Sequence, residues 1–553
     1  MKASEALARA VMAEDPHVFG LMGDGNVPIW GPLVAAGATL YSARHEAAAV
    51  AMADGYHRAT GKVGITTITW GPGLSQIGTS LMAAARNRSN LVMLLPELPP
   101  GVKNKLQSMD QRRFVEACET RYLRLSTLDN LAEDIAEAFY LARTQSCPVA
   151  LGVPIDLIEQ ELEWDFEYRP AATWAPAADG PGSDAVAMLA DLLAATERPV
   201  FIGGRGARAS DARAAIEKLA ERCGALLATS LQAKGLFDGH PWDVGIAGSF
   251  ASRPSEELFG QADLVVAFGA ELGYYTSEGG LLFPEAQVVR VDLRQPPEIG
   301  VIPGRFVRGD AAKTADAVEA ELARRGVQAQ GFRSAATQAV MTMTLPPFDK
   351  PADGLDARVL MRELSAALPK GSRITCGAGH FFGFVGMYLA LPEDSDIHFS
   401  LAFGAVGQTL PIAIGMAAAT PGEPRIMIEG DGSLMFNLQE LQTVARYRLP
   451  MTIIVLNDAA YGAEVHKLIT QGYDPDLARW ESPDFVALAK AFGGDGVRPG
   501  RESDLPAAVA RGRAQGGLYL IDCRIAPSVM TDPYRKIHHG AENQAPLLRR
   551  PQA

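Results

Sequence analysis

The stretch IMIEGDGSLMFNLQELQTVARYRLPMTIIVLNDAAYG, residues 426–462, contains two apolar, strand-like runs on either side of a segment in which leucines recur at helical spacing. This order predicts a strand, a helix and a second strand, the unit from which parallel sheets are built. The first strand runs into Asp431 and the second into Asp458, which follows 27 residues later. Because both strands of such a unit end at the same edge of the sheet, we expect the two carboxylates to lie close together.

Two converging carboxylates at a sheet edge indicate a site for a hard cation. Mg²⁺ prefers oxygen ligands and usually keeps some from phosphates and water, so two carboxylates and a loop carbonyl suit a metal-bound diphosphate. Gly430 and Gly432 flank Asp431 and would let phosphate oxygens approach the N–H groups at the start of the following helix. For the tripeptide Gly-Asp-Gly alone, the alternative is an ordinary strand-to-helix turn in which Asp431 caps the helix.

The alternation of short β-branched runs and longer helical patterns continues through the rest of the chain. Two stretches rich in Pro, Ala and Gly, at about residues 169–184 and 333–355, have the composition of linkers and divide the 553 residues into three parts. The fold class that follows is α/β, with three consecutive domains of parallel sheets flanked by helices. With 48% apolar and 21% charged residues, each part has enough apolar sequence to bury a core.

Taken whole, the segment 426–462 resembles the thiamine diphosphate signature of the superfamily that contains acetolactate synthase, pyruvate decarboxylase and benzoylformate decarboxylase. The resemblance implies thiamine diphosphate and Mg²⁺ as cofactors, with the side chains of Asp431 and Asp458 and the carbonyl of Ala460 as metal ligands. Family members more often have Asn at the place of Asp458, and an Asp there is still a hard oxygen ligand. The overall pattern is most similar to acetolactate synthase large-subunit relatives.

By the same resemblance the three domains have separate duties. Residues 1–168 would form the pyrimidine-binding domain, residues 185–332 a middle scaffold domain, and residues 356–553 the diphosphate- and magnesium-binding domain. In the family the first domain of one subunit faces the third domain of another. This implies a homodimer as the smallest active unit and a homotetramer as the expected assembly.

The segment SARHEAAAVAMADGYHRATGK, residues 42–62, is similar to the family's glutamate helix, with Glu46 at the matching position. The resemblance makes Glu46 the carboxylate that binds the aminopyrimidine ring and drives deprotonation of the thiazolium carbon. The small apolar residues that follow it, among them Ala47 and Val50, predict a partly desolvated carboxylate, which suits proton exchange with a ring nitrogen. For an isolated His-Glu-Ala sequence, the alternative is a solvated glutamate that opens a surface helix.

Other segments match the family's cofactor contacts less specifically. Gly71 and Gly73 lie in a turn that would approach the pyrimidine closely. The carbonyl of Gly404 would accept from the 4′-amino group, and Val406 would wedge between the two rings. His380 is a candidate phosphate donor. The predicted cofactor-binding residues are therefore Glu46, Gly71, Gly73, His380, Gly404, Val406, Gly430, Asp431, Gly432, Ser433, Asp458, Tyr461 and Gly462.

The middle part holds a glycine pattern that is similar to a dinucleotide-binding turn. Gly204, Gly206 and Ala209 form a GxGxxA sequence after a short apolar run, which could cradle a pyrophosphate. A ribose-binding acid is expected about 20 residues further on at a strand end, and Glu221 lies instead within a helical pattern. FAD is therefore an alternative cofactor that the sequence does not favour, and a scaffold is the favoured interpretation.

The resemblance implies an enzyme, a thiamine diphosphate-dependent carbon–carbon lyase or transferase. The favoured function is decarboxylation of a 2-oxo acid and transfer of the acyl anion equivalent to a carbonyl acceptor, as in acetolactate synthase. Release of an aldehyde is the first alternative, because Glu464 stands where the pyruvate decarboxylase branch has a catalytic acid, although that branch's paired first-domain histidines are missing. A catalytically silent, cofactor-binding paralogue is the second. Weaker candidates for substrate contacts are Glu97, Gln111 and Arg112.

Composition limits the partners and the location of the protein. The formal charge is −13 and no run of five Lys or Arg occurs, so nucleic acid is not an expected partner. The five cysteines are scattered without a CxxC pair, which favours a reducing, cytoplasmic location. Neither a membrane span nor a secretory signal is predicted, because charged residues such as Glu5 and Glu14 interrupt the apolar stretches. The expected ligands are small 2-oxo acids or aldehydes.

Overall fold

The computed structural model describes residues 1–99, 102, 106–170, 179–295, 302–343 and 347–539. In these ranges eighteen strands form three six-stranded sheets, and all the strand pairs within them are parallel. The predicted class of three α/β domains is therefore confirmed. Among the described helices, none is both long and apolar enough to cross a membrane.

The first sheet has the strand order β2-β1-β3-β4-β6-β5. Strands such as β4 are apolar along almost their whole length because helices cover both faces of the sheet. Its strands are β1 His17–Gly20, β2 Thr39–Ser42, β3 Gly64–Thr67, β4 Leu91–Glu97, β5 Arg121–Arg124 and β6 Pro148–Pro154. Its helices are α1 Ala3–Glu14, α2 Val27–Ala35, α3 Glu46–Thr60, α4 Pro72–Ser75, α5 Gly78–Asn87, α6 Gln111–Ala117, α7 Leu131–Gln145 and α8 Ile155–Ile158.

The middle sheet has the order β12-β11-β10-β7-β8-β9, which is the doubly wound order of dinucleotide-binding folds. Its strands are β7 Pro199–Gly203, β8 Leu226–Thr229, β9 Asp243–Ile246, β10 Leu264–Phe268, β11 Gln287–Asp292 and β12 Arg305–Arg308. Its helices are α9 Ser183–Ala195, α10 Arg205–Ala209, α11 Arg213–Cys223, α12 Arg253–Phe259, α13 Tyr274–Ser277, α14 Ala311–Arg324 and α15 Ala335–Met341, with 3₁₀ turns at Leu231–Ala233 and Glu278–Gly280.

The third sheet, β14-β13-β15-β16-β18-β17, repeats the strand order of the first. Its strands are β13 Arg373–Cys376, β14 Asp396–Phe399, β15 Arg425–Gly430, β16 Met451–Asn457, β17 Asp495–Val497 and β18 Leu518–Arg524. Its helices are α16 Ala357–Ala367, α17 Phe382–Tyr388, α18 Thr409–Ala419, α19 Asp431–Met435, α20 Leu441–Arg446, α21 Gly462–Gln471, α22 Phe485–Ala491, α23 Leu505–Gln515 and α24 Asp532–His539, with 3₁₀ turns at Ala402–Gly404, Leu438–Glu440, Pro475–Ala478 and Glu502–Asp504.

Helices α3 and α18 join the first domain to the third. A Cβ atom at Gly55 would lie 2.0 Å from the carbonyl oxygen of Ile412, and one at Gly415 would lie 1.8 Å from the carbonyl oxygen of Met52. Only glycine at both positions lets the two backbones approach this closely. The crossing lies within one apolar core that both domains share, and it holds the helix that begins at Glu46 against the third domain.

The predicted linkers differ in how much of them the structure describes. Residues 171–178 and 344–346 lie outside the described ranges. Within the second predicted linker, Ala335–Met341 forms α15, which begins after Ser334 accepts a hydrogen bond from the N–H of Thr337 and which packs against α12. The domain limits of 1–168, 185–332 and 356–553 stay predictions.

Candidate active site

The two acidic residues singled out in the third domain meet at one edge of its sheet. Strands β15 and β16 are neighbours, with Gly430 in register with Leu456. Asp431 is the first residue of α19, and Asp458 follows β16 directly. The predicted convergence of two carboxylates is therefore confirmed. The predicted single helix is wrong, because it breaks at Asn437, whose side chain donates to the carbonyl of Gly407 at 2.6 Å.

The chemistry of this carboxylate pair fits a divalent cation. Asp431 is buried, and neither of its side-chain oxygens has a hydrogen-bond partner of normal geometry. Burial, and then the nearby Asp458 carboxylate, raises the pKa of Asp431, while burial is the main cause that raises the pKa of Asp458. A buried and a half-buried carboxyl group that resist ionising side by side are the arrangement that a hard cation neutralises.

The carbonyl of Ala460 points away from the neighbouring strand, as a metal ligand must. The N–H of Tyr461 donates to the carbonyl of Ala478 at 2.9 Å, and the N–H of Trp480 donates to the carbonyl of Ala459 at 3.0 Å. Ala460 lies between these bonded residues, in an antiparallel bridge with Arg479. Its own N–H and C=O therefore point away from the opposite strand. No cluster of three or more His, Cys, Asp or Glu side chains suited to a metal occurs in the described ranges, so further ligands would be carbonyl, water or phosphate oxygens.

The glycines of the site admit neighbouring side chains. A Cβ at Gly430 would lie 2.9 Å from the Phe381 ring, and one at Gly432 would lie 2.8 Å from the Tyr461 ring. A Cβ at Gly462 would lie 2.2 Å from Asp458 Oδ2. The bare side of the first two glycines is therefore filled by aromatic rings, and the N–H of Gly430 already donates to Glu429 Oε1 at 3.2 Å.

The turn that contains Gly404 and Val406 is hydrogen-bonded to the segment that follows Asp431. The N–H of Gly407 donates to Ser433 Oγ at 3.2 Å, while Asn437 holds its carbonyl. Gly404 has a positive φ of 63° and Val406 is half-buried between these anchors. The two predicted cofactor contacts and the predicted Ser433 thus belong to one connected structure.

His380 lies just beyond β13 and is buried. Its Nε2 accepts a hydrogen bond from the N–H of Thr531 at 3.1 Å, which places the ring proton on Nδ1. Burial, and then the His466 ring 4.6 Å away, lowers the pKa of His380 to about 3, so the ring is neutral. Its Nδ1–H is the one ring group able to donate, as the predicted phosphate contact requires.

The predicted acid Glu464 lies in the first turn of α21. Its side chain is about half exposed and pairs with Lys467 Nζ at 3.0 Å. The last described helix, α24, packs beside it, and the hydroxyl of Tyr534 donates to the carbonyl of Ala463. Burial, and then the charge of Glu464, raises the pKa of Tyr534. Carboxy-terminal residues thus contact both His380 and the start of α21.

Glu46, the predicted catalytic carboxylate of the first domain, is the first residue of α3 and is half-buried. His45 caps this helix, with its Nδ1 accepting from the N–H of Ala47 at 3.1 Å. The fully buried Glu440 of the third domain accepts from the N–H of Arg44 at 2.8 Å. A carboxylate from one domain therefore fixes the backbone just ahead of Glu46 in another.

The predicted glycine turn of the first domain contacts Glu46. Gly71 has a φ of 59°, and a Cβ there would lie 2.2 Å from the carbonyl oxygen of Gln107. A Cβ at Gly73 would lie 3.4 Å from Glu46 Oε1. The turn therefore lies directly beside the predicted catalytic carboxylate, because glycine leaves the space for both contacts.

The three weaker substrate candidates, Glu97, Gln111 and Arg112, line one cavity of about 370 Å³ at the same edge of the first sheet. Glu97 is not a free second acid. Its Oε1 accepts from the hydroxyl of Tyr122, and its Oε2 accepts from Arg124 Nε at 2.6 Å.

The glycine pattern of the middle domain packs against a neighbouring turn. The N–H of Gly204 donates to the carbonyl of Phe268 at 2.8 Å, and the N–H of Gly206 donates to the carbonyl of Gly269 at 3.0 Å. A Cβ at Gly204 would lie 2.2 Å from Gly269 O. The two N–H groups that would cradle a pyrophosphate are therefore bonded within the domain.

Several residues of the site escaped prediction. Glu440 and Trp480 were not singled out, although Trp480 packs on Tyr461 with a ring separation of 4.7 Å. Glu429 is buried, and burial raises its pKa to about 7 against hydrogen bonds from Thr409 and Ser433. A charged residue inside the apolar run IMIEG is a signal that could have identified Glu429.

Models of thiamine pyrophosphate enzyme domains match three consecutive parts of the chain. The N-terminal TPP binding domain matches residues 1–111, the central domain matches residues 186–318, and the C-terminal TPP binding domain matches residues 377–523. The two binding-domain models cover the parts that contain Glu46 and the Asp431–Asp458 pair.

Named relatives match over nearly the whole chain. The sulfoacetaldehyde acetyltransferase of Castellaniella defragrans is 27% identical, with 92% of this chain and 90% of that protein covered. The acetolactate synthase isozyme 2 large subunit of Escherichia coli is 26% identical, with 95% and 96% covered. A probable 2-ketoarginine decarboxylase of Pseudomonas aeruginosa is 28% identical, with 92% and 91% covered.

The matches to TPP binding domains, with an acetolactate synthase and a decarboxylase among the relatives, show a cofactor-dependent α/β enzyme of the lyase or transferase kind. The chain belongs to the thiamine diphosphate-dependent enzyme superfamily, and acetolactate synthase large subunits are among its relatives.

Proposed function

We propose that the protein decarboxylates a 2-oxo acid and transfers the acyl anion equivalent to a carbonyl acceptor, in the manner of acetolactate synthase. The observation that carries the proposal is that Asp431, which is buried, and Asp458 meet at the carboxyl edge of the third sheet, while Glu46 follows a strand at the carboxyl edge of the first. Acetolactate synthases and sulfoacetaldehyde acetyltransferases among the relatives support a transfer reaction.

Mg²⁺ would be held by the side chains of Asp431 and Asp458 and by the carbonyl of Ala460. When bound, thiamine diphosphate supplies a nucleophilic carbon and an electron sink for decarboxylation. Gly430, Gly432, Ser433, Tyr461 and Gly462 form the loop around this site, and the Nδ1–H of His380 would donate to the diphosphate. The middle domain serves as a scaffold, supported by the bonded N–H groups of its glycine turn.

Glu46 would hold the proton that its carboxyl exchanges with a nitrogen of the pyrimidine ring. Gly71 and Gly73 bring backbone close to that carboxyl, and Gly404 and Val406 would position the cofactor rings from the third domain. The half-buried position of Glu46, beside the turn of Gly71 and Gly73, supports this role.

A homodimer is proposed as the smallest active unit. Large apolar side chains remain exposed near the carboxyl edge of the third sheet, among them Phe403 at 54% and Phe436 at 56%. A second copy of the chain would cover such residues and present its own first domain to the site. A cytoplasmic location is proposed because all five cysteines are free thiols.

The test is incubation of the protein with Mg²⁺, thiamine diphosphate and a panel of 2-oxo acids, with and without acceptor aldehydes. NMR should detect ligated products when an acceptor is present, and Glu46→Gln should lose at least about a thousandfold in turnover while keeping its circular dichroism spectrum. Full activity in Glu46→Gln would reject the assigned role, and no product from any pair would favour a silent paralogue.

Release of an aldehyde is the second candidate, favoured by the position of Glu464 beside Tyr534 and by a decarboxylase among the relatives. If Glu464 donates the proton to the product, Glu464→Gln should slow aldehyde release and increase ligation. Lys467→Gln, which changes its ion-pair partner, is the matched control. Unchanged aldehyde release in Glu464→Gln would rule out this role.

A further inference from the structure

The cavity beside β4 has the size of a small-molecule site. Its volume of about 370 Å³ lies at the lower end of the range that suits small ligands. It opens where β4, β5 and the start of α6 meet, and Trp70 forms part of its wall. Trp70 is followed directly by the turn that contains Gly71 and Gly73, and this turn lies beside Glu46. The turn therefore separates the cavity from the predicted catalytic carboxylate.

One wall of the cavity contains Glu97, a carboxylate that is bound by its neighbours. Tyr122 and Arg124 bind the two oxygens of Glu97, whose side chain is only 15% exposed. Gly152 on β6 makes room for this arrangement, because a Cβ there would lie 2.5 Å from both Glu97 Oε1 and Tyr122 Oη. The charge of Glu97 is thus compensated within the wall.

The second acid of the cavity, Asp110, is also engaged. Its Oδ1 accepts from the N–H of Arg113 at 3.1 Å, and its Oδ2 lies 3.3 Å from Arg113 Nε. Neither acid is therefore left to repel an incoming anion at close range.

Arg112 is the charged side chain of the cavity that is least compensated. Its guanidinium carbon lies 4.9 Å from the centre of the Tyr122 ring, which holds the side chain against the wall. Among the described residues, the ion pair it makes is with Glu116 at 3.6 Å, and both side chains are about half exposed. Such a pair is weak, so the guanidinium is available to an anionic ligand.

A buried acceptor lies next to Arg112. The side-chain amide of Gln111 donates to the carbonyl of Pro96 at 3.0 Å, and this bond fixes which end of the amide is the oxygen. That oxygen is buried and has no hydrogen-bond partner. The hydrogen bond from the amide to Pro96 ties the start of α6, and with it Arg112, to the end of β4.

We propose that this cavity binds the anionic end of the substrate, with Arg112 as the partner of a carboxylate or sulfonate. The inference rests on the proposed function for the chemistry at the carbonyl group and narrows it to a substrate class. That class is 2-oxo acids or aldehydes that carry a second, anionic group.

The first experiment compares acceptors in the holoenzyme. Succinic semialdehyde carries a carboxylate, sulfoacetaldehyde carries a sulfonate, and butanal carries no charge. Arg112→Gln should lower the ratio of kcat/KM for the charged aldehydes to kcat/KM for butanal by about tenfold or more, and Arg112→Lys should retain part of it. Arg86→Gln is the matched control, because Arg86 also makes an exposed ion pair in the first domain, with Glu119, its side chain is 55% exposed and it does not line the cavity.

The second experiment measures binding without turnover. Saturation-transfer NMR of the full chain with 3-hydroxypropane-1-sulfonate, 4-hydroxybutyrate and 1,4-butanediol should show stronger transfer to the two anions than to the diol. The difference should disappear in Arg112→Gln and persist in Arg86→Gln. The anion with the stronger signal identifies a sulfonate or a carboxylate as the preferred group.

The outcomes separate the two proposals. Anion binding that depends on Arg112, together with no turnover of any aldehyde, would support the cavity and reject the proposed function. Anions that bind no better than the diol would overturn the cavity proposal even in an active enzyme. Equal losses in Arg112→Gln and Arg86→Gln would also overturn it.

Discussion

Asp431 is a buried carboxylic acid that lies beside a second one, so its charged form is disfavoured twice. Because its two side-chain oxygens are buried beside Asp458, Asp431→Asn should weaken Mg²⁺ binding and also stabilise the metal-free protein by relieving repulsion. We expect the apparent Kd for Mg²⁺ to rise at least about tenfold and the free energy of unfolding without metal to rise by about 1 kcal/mol. Metal-dependent thermal unfolding measures both.

The matched control is Asp476→Asn, because the Asp476 side chain is 76% exposed in its pair with Arg479. It should leave the Mg²⁺ dependence of the melting temperature unchanged. An Asp431→Asn protein with an unaltered Mg²⁺ response would remove Asp431 from the ligand set.

Asp15 gives the first domain a pH-dependent stability. Burial raises the pKa of this carboxyl, but hydrogen bonds from His17, Lys62 and Tyr56 outweigh it and hold the pKa at about 2. Since the folded pKa lies below the ordinary 3.8, the stabilisation is present above about pH 4 and is lost as the pH falls toward 2.

Asp15→Asn should therefore lower the free energy of unfolding by about 2 kcal/mol near pH 7, with a difference that shrinks below pH 4. Urea unfolding of the full chain at several pH values measures it, and Asp24→Asn, at an exposed position, is the control. A difference that stays constant down to pH 2 would contradict the assigned cause.

The residues that sequence could predict are those whose chemistry is local. Asp431 and Asp458 follow directly from strand ends 27 residues apart. Glu440 was missed because its partner, the N–H of Arg44, is 396 residues away in the chain, and no periodicity or motif records such a contact.

At the scale of elements, Glu440 links the start of α3 to the third domain. A buried carboxylate that accepts from the backbone ahead of Glu46 should fix the direction from which Glu46 enters the site. Glu440→Gln keeps the shape but weakens the hydrogen bonds, because a neutral amide accepts less strongly than a carboxylate.

We expect Glu440→Gln to reduce kcat by about tenfold with little change in KM, because orientation of the carboxyl matters more than substrate binding. Hydrogen exchange of the amides around residues 44–48 should become faster. Glu423→Gln, at an exposed position, should change neither. Unaltered exchange with reduced kcat would assign Glu440 a role other than positioning.

Element types were predictable where patterns are long, and element limits were not. The apolar runs of β15 and β16 gave their strands directly. The helix between them breaks at Asn437 because a hydrogen bond to the distant Gly407 competes with the helix, and α15 forms inside a stretch of linker-like composition because α12 covers it.

At the scale of the whole molecule, the first and third sheets share one strand order, and each places its predicted site residues at the carboxyl edge. Sequence alternation predicted three parallel sheets. Strand order depends on which strands pair across the chain, so neither this repeat nor the different order of the middle sheet was predictable.

If one subunit supplies Glu46 and the other supplies Asp431, two inactive variants should complement each other. Co-expressed Glu46→Gln and Asp431→Asn chains that pair at random would form mixed dimers in about half of all cases, each with one intact site, which is about a quarter of all sites. Activity near that fraction should therefore appear in the mixture and in neither variant alone. Sites built within single chains would leave the mixture as inactive as its components, because every chain carries one defect.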